Sequence, residues 1–228
     1  MNLRPWAGPK RSASGFRGGA RASIPLCIAV GAFGVSFGVL ARANGFGVLA
    51  PIVMSLTTFT GASQFAAVSV VSDGGGLGAA VLAAILLASR YLPIGLSVAP
   101  VFAGSRLSRF FQAQMVIDES WAVANRGDGS FDLATLLGAG IALYVSWVAG
   151  TAIGVFGGDF LGDPNALGLD AAFPALFFVL LLSQLKTRQG VAAALAGGAI
   201  ALALVPFTKA GVPIIAASLA CFAGWWRR

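Results

Sequence analysis

Residues 48–72 read VLAPIVMSLTTFTGASQFAAVSVVS, an uncharged apolar run with a polar middle. The run exceeds the roughly 20 residues that a helix needs to cross a bilayer. A segment that only anchored a protein would carry Leu or Val where this one carries Ser55, Thr57, Thr58, Thr60, Gly61, Ser63 and Gln64. In hydrocarbon each polar group costs free energy unless it finds a partner. On a continuous helix Thr57, Thr60, Gly61 and Gln64 fall on one stripe. That stripe is expected to face other helices, a water-filled cavity or a substrate.

The rest of the chain suits the same solvent. It is 57% hydrophobic and 10% charged, against about 25% charged in soluble domains, and its mean hydropathy is +0.86. The expected class is all-α, a polytopic integral membrane helix bundle. Its 31 glycines suit close helix packing in a membrane. Cys27 and Cys221 lie in apolar runs without metal-ligand or CxxC spacing and read as small buried residues. The absence of histidine removes His-based proton relays, triads and metal sites. No metal or other cofactor is expected, and with no GxxxxGK[ST] loop no nucleotide is either. The net charge of +7 comes from basic residues flanking apolar runs, which fits the positive-inside rule better than nucleic-acid binding.

Candidate spans are 22–41, 48–72, 77–103, 133–156, 170–185, 190–207 and 211–226. Residues 1–21, basic and rich in Gly, Ser and Pro, read as a disordered cytoplasmic tail. Residues 22–228 read as the transmembrane domain, since the first apolar run is too long for the core of a cleaved signal peptide. Arg106, Arg109 and Arg126 place the loop 104–132 in the cytoplasm. Lys186 and Arg188 do the same for 186–189, as do Arg227 and Arg228 for the C-terminus. Asp159, Asp163 and Asp170, with no basic residue among them, place 157–171 outside. A cytoplasmic N-terminus and a cytoplasmic 104–132 require an even number of crossings between them, yet three apolar segments intervene. Ser89-Arg90-Tyr91-Leu92-Pro93 interrupts the third, and proline disfavours helix at the residue before it. A hairpin of helices 77–89 and 92–103 would restore parity, giving seven to eight spans with broken or re-entrant elements. Small-residue rhythms at Gly31–Gly38 and Val148–Gly154, and the pairs Ser63-Gln64 and Ser183-Gln184, suggest two repeat halves, 22–103 and 133–226, joined by 104–132. Seven plain spans with one end reversed is the rival arrangement.

Gly61-Ala62-Ser63-Gln64-Phe65 is the leading candidate site, together with Thr57, Phe59 and Thr60. Gly61 and Ala62 permit local unwinding, which would offer N–H groups to a carboxylate and C=O groups to an ammonium. Gln64 supplies a donor and an acceptor, and Phe59 and Phe65 an apolar wall. Plain packing through small residues is the alternative. Arg90 lies deep in an apolar segment, where it would hold a carboxylate, pair with an acid, or snorkel from a hairpin tip. Asp118 and Glu119 read either as a solvated face or as gate acids for Arg90, Arg106 or Arg109. Trp147, Gly150, Thr151 and Gly154 read as a tight helix crossing, with Thr151 bonding across it.

Taken in order, these motifs resemble the AzlC family of branched-chain amino acid permeases. The resemblance rests on Ser23-Ile24-Pro25, Phe33-Gly34-Val35-Ser36-Phe37-Gly38, Phe59 to Phe65, Ile117 to Ala122, Trp147 to Gly154 and Phe173 to Phe177, and covers about residues 20–226. It departs where the family usually shows an Arg-His pair: Ser89-Arg90-Tyr91 keeps the arginine and lacks the histidine. The resemblance implies a permease of the bacterial inner membrane that exports valine, leucine or isoleucine, sometimes methionine, with a small AzlD-type membrane partner. A ligand of balanced charge with a branched apolar side chain suits an uncharged, Phe-lined pocket. A non-conducting scaffold or assembly subunit is a second reading. An intramembrane enzyme is a third and is disfavoured, because no acid pair, His or Ser/Lys constellation lies inside a span.

The charge asymmetry predicts that Asn165→Cys, in a chain lacking Cys27 and Cys221, reacts with an impermeant thiol reagent only from outside. Labelling solely from the cytoplasmic side rejects this orientation.

Overall fold

The computed structural model describes residues 14–126, 129–161, 178, 181–182, 185, 188–208 and 212–220, and every regular element among them is helical. In chain order these are α1 (Gly15–Ala22), α2 (Ile24–Ala43), α3 (Leu49–Thr57), α4 (Gly61–Ser72), α5 (Leu77–Ala88), α6 (Tyr91–Val98), α7 (Arg106–Gln114), α8 (Asp118–Ala124), α9 (Leu133–Leu161), α10 (Arg188–Leu204) and α11 (Val212–Ser218). Among the described residues two helices, Ile24–Ala43 and Leu133–Gly158, are long and apolar enough to cross a membrane alone, or three if α5 and α6 count as one bent span. Most of the expected span 170–185 and most of 157–171 lie outside the described residues, as does most of the second-half partner of α3 and α4 that the proposed repeat needs.

The framework is the crossing of α2 and α9. Lipid tails supply no hydrophobic drive between helices, so close van der Waals packing must. Gly31, Gly34 and Gly38 of α2 meet Gly150 and Gly154 of α9 so closely that a Cβ on Gly150 would overlap the Gly31 carbonyl, and one on Gly154 the Val35 carbonyl. A Cβ on Gly34 would lie 2.7 Å from the Trp147 carbonyl oxygen. Ser146 Oγ also donates to the Cys27 carbonyl at 2.6 Å.

The structure differs from the sequence expectations in four places. Residues 15–21, expected to be disordered, belong to α1, which docks on α9. Gly19 and Gly138 let the two backbones touch, and the Gly15 N–H donates to Thr135 Oγ1 at 3.0 Å. The helix expected over 48–72 is broken between Thr57 and Gly61, with Phe59 at φ +40°. Three threonines around one phenylalanine resist helix through their restricted χ1 angles, and Thr57 Oγ1 bonds back to the Val53 carbonyl at 2.7 Å. The expected hairpin at 77–103 is instead a 44° bend between α5 and α6. Pro93 is the third residue of α6, where a helical N–H has no partner to lose, so it starts α6 rather than reversing the chain. Finally, 104–132 is not a plain loop. It carries α7 and α8, and Ile117 between them is buried in the core with Phe37, Phe59, Phe65, Leu143 and Trp147. Asp132 then caps α9 by accepting the Thr135 N–H at 2.7 Å, a bond that holds its carboxyl below the ordinary range.

The α2–α9 crossing generates a paired test. Gly154→Ala forces the helices apart and is expected to cost about 1–3 kcal/mol. Gly157→Ala, on the same helix, meets nothing within 4 Å and is expected to be neutral or to gain up to about 1 kcal/mol. Thermal unfolding in detergent measures both, and equal behaviour of the two variants rules out the close crossing.

Candidate functional site

The first turn of α4 separates two cavities. The larger, about 620 Å³, has a polar edge of Thr57, Thr58, Thr60, Ser63 and Gln64. Its remaining wall is apolar, built by Phe46, Met54, Ala67, Val71 and the α5 face Leu77, Ala80, Val81, Ala84, Ile85 and Ala88. The smaller recess, about 80 Å³, is lined by Phe59, Gly61, Ala62, Arg90, Tyr91, Ile117, Asp118, Glu119 and Trp147, with Val30 and Phe33. Gly61 is the contact between α4 and the indole of Trp147: a Cβ there would lie 2.8 Å from Trp147 Cη2.

Behind the larger cavity lies a buried polar cluster. Ser55, Gln64 and Thr151 are 0%, 1% and 0% exposed. Gln64 Nε2 donates to Ser55 Oγ at 3.1 Å, and Trp147 Nε1 donates to the same oxygen at 3.1 Å. Ser55 Oγ lies 2.8 Å from Thr151 Oγ1, which donates to the Trp147 carbonyl at 3.0 Å. The sequence stripe had Gln64 but assigned Ser55 no role; a lone serine nine positions before Gln64 is the only hint the sequence holds. On the cavity side, Thr60 Oγ1, Ser63 Oγ and Gln64 Oε1 are buried and make no hydrogen bond within the described protein. Such atoms are uncommon, because each costs about 1–3 kcal/mol.

The candidate residues divide between these places. Thr57, Thr60, Ser63 and Gln64 line the larger cavity, while Phe59, Gly61 and Ala62 line the recess. Phe65 lines neither; it packs edge-on against Phe37 at 5.5 Å within the core. The stripe Thr57, Thr60, Gly61, Gln64 is therefore not one face, because the helix breaks within it. Two carbonyls at the end of α3, next to the break, already have side-chain partners. Tyr144 Oη donates to the Leu56 carbonyl at 2.8 Å, and Gln114 Nε2 to that of Thr57 at 2.8 Å.

In the recess the Arg90 guanidinium lies 3.0 Å from an Asp118 carboxylate oxygen. It also donates to Tyr91 Oη at 3.2 Å and lies 5.1 Å from the centre of that ring. Arg90 Nε is buried with no partner among the described residues. Asp118 and Glu119 line this recess, and the Asp118 side chain is also partly open to solvent. Trp147 and Thr151 belong to the polar cluster as well as to the crossing that Gly150 and Gly154 make.

A broken apolar helix with buried polar atoms at its break, set among glycine-packed helices, defines a polytopic helical membrane protein. A family model described as AzlC protein matches residues 25–161, and the chain belongs to the AzlC family. It is 35% identical to an uncharacterized membrane protein of Archaeoglobus fulgidus, over 92% of this chain and 94% of that one. It is 27% identical to the branched-chain amino acid transport protein AzlC of Bacillus subtilis, over 90% and 82% of the two chains. It is 29% identical to the inner membrane protein YgaZ of Escherichia coli, over 95% and 91%. No solved structure matches.

The side chains of Arg90 and Asp118 are 34% and 37% exposed, so solvent screens the pair and the expected coupling is about 0.2–1 kcal/mol. A double-mutant cycle of Arg90→Ala and Asp118→Ala, read by thermal unfolding, measures it. Strict additivity in the cycle shows that the two act separately.

Proposed function

We propose that this chain is the conducting subunit of a secondary transporter for branched-chain amino acids, valine, leucine or isoleucine and also methionine. It works outward across the bacterial inner membrane with a small AzlD-type membrane partner, in a bundle of seven to eight spans with halves 22–103 and 133–226. The observation that carries this reading is the set of three unpaired oxygens, of Thr60, Ser63 and Gln64, at the edge of an otherwise apolar cavity of about 620 Å³. A zwitterion has no net charge but needs polar partners at one end. The hydroxyls of Thr60 and Ser63, which have no partner within the described protein, suit its carboxylate. The alanine- and valine-rich α5 wall suits a branched aliphatic side chain.

The Arg90–Asp118 pair serves as a gate at the recess on the far side of α4. A screened ion pair suits a gate that opens readily, since a coupling of about 0.2–1 kcal/mol biases a two-state population only a few-fold. The name of the Bacillus subtilis relative supports the substrate class.

Gln64→Leu keeps approximate volume and removes both polar atoms. Valine efflux through protein expressed at the normal level is expected to fall by about tenfold or more, the scale of one lost buried hydrogen bond to substrate. Undiminished efflux through the Leu variant excludes this site. Measuring the chain with and without its partner separates a conducting subunit from a scaffold.

A further inference from the structure

The polar cluster behind the cavity fixes which end of the Gln64 amide meets Ser55. Trp147 Nε1 can only donate, so it occupies one lone pair of Ser55 Oγ. Thr151 has one hydroxyl proton and two neighbours that can take it, the Trp147 carbonyl and Ser55 Oγ. If that proton goes to the carbonyl, Ser55 donates to Thr151, and the second lone pair of Ser55 is open to Gln64. Gln64 then presents Nε2 to Ser55, and all four contacts are hydrogen bonds. With the amide reversed, Ser55 must donate to Gln64 Oε1. Thr151 must then donate to Ser55, and the contact with the Trp147 carbonyl loses its proton. The first arrangement makes one more bond in a cluster that water does not reach, so it is the stable one.

That leaves Gln64 Oε1, on a residue that lines the cavity, as a buried acceptor that makes no hydrogen bond within the described protein. The α3 carbonyls do not share this role, because Tyr144 and Gln114 occupy them. The polar edge of the cavity therefore offers the hydroxyls of Thr60 and Ser63 as donors and the Gln64 amide oxygen as an acceptor.

We infer that Gln64 Oε1, oriented by Ser55, Thr151 and Trp147, receives the ammonium group of the ligand, so the cavity selects α-amino acids over the matching 2-oxo acids. The inference deepens the transport reading above and rests on it for the choice of side chain. Ser55 and Trp147 are positioning residues, acting through the orientation of Gln64.

Two measurements test it. Purified protein is first melted with isobutylamine, which keeps the branched chain and the ammonium and lacks the carboxylate. Wild type and Gln64→Glu, which retains acceptor oxygens, are expected to be stabilised, and Gln64→Leu is not. Second, unlabelled 3-methyl-2-oxobutanoate competes against labelled valine in proteoliposome exchange. Wild type is expected to discriminate against the oxo acid by at least about tenfold, the scale of an unmet buried polar group. Ser55→Ala, which frees the amide to turn, is expected to narrow that ratio. Equal stabilisation of wild type and Gln64→Leu by isobutylamine overturns the inference, as does an oxo acid that competes as well as valine. Amine-dependent stabilisation in a protein that exchanges no valine leaves the ammonium site standing and removes the transport reading.

Discussion

Three helices meet at one hydroxyl. Ser55 Oγ, on α3, takes donors from α4 and α9 and lies within hydrogen-bond distance of Thr151 on α9. The contact between Ser55 and Gln64 requires the helix to break. In a straight helix, nine residues would set their Cα atoms about 13.5 Å apart along the axis, beyond the reach of either side chain. The interruption at Thr58-Phe59-Thr60 lets α4 turn back so that the two meet at 3.1 Å. The positive φ of Phe59 costs about 1–2 kcal/mol. Burial of its ring against Tyr144, at 5.1 Å, and the bonds made at Ser55 offset that cost. The strain and the site thus have one cause.

The break also sets the two cavities back to back. Thr60, Ser63 and Gln64 look one way from the first turn of α4, and Gly61 and Ala62 the other. Trp147 belongs to both sides. Its N–H serves the cluster behind the larger cavity, while its ring lines the recess with Arg90 and Asp118 and stacks on Phe37 at 5.9 Å. With no Cβ at Gly61 there is no slack between α4 and the indole. A shift of the first turn of α4 must move the indole or be resisted by it. This is spatial adjacency with a stated contact; energetic coupling between the cavities requires that the indole have two arrangements.

What could be read from the chain divides along physical lines. The solvent was legible, because apolar runs and flanking charge follow directly from the bilayer. The polar run around Gln64 was legible as chemistry, since such residues in hydrocarbon need a reason. Its geometry was not. Gly61 drew attention as the weak point, but the helix stops at Thr57, four residues earlier, where threonine and phenylalanine give no glycine or proline signal. The contact of Arg90 with Asp118 was conceivable only as one of several pairings. A proline in the first turn of a helix and one at a chain reversal look alike in sequence, and the hairpin reading would have kept the two groups apart. The helix of residues 15–22 was hidden because it docks by close backbone contact with α9, Gly19 against Thr135 and Phe16 against Gly138, and composition reads such glycines as disorder.

A transporter for a zwitterion has reason to use neutral partners. A fixed charge in the larger cavity would need its own counter-ion or carry a desolvation cost of several kcal/mol, and it would bind one end of the ligand far more strongly than the other. Hydroxyls and an amide carry partial charges that would match both ends without leaving an ion behind on release. The charged residues sit instead across α4, where Arg90 and Asp118 are partly exposed and mutually paired. On the proposed reading, recognition by dipoles on one side and closure by a screened ion pair on the other would keep each step weak enough to reverse, and a carrier that returns to its starting state in every cycle depends on that reversibility.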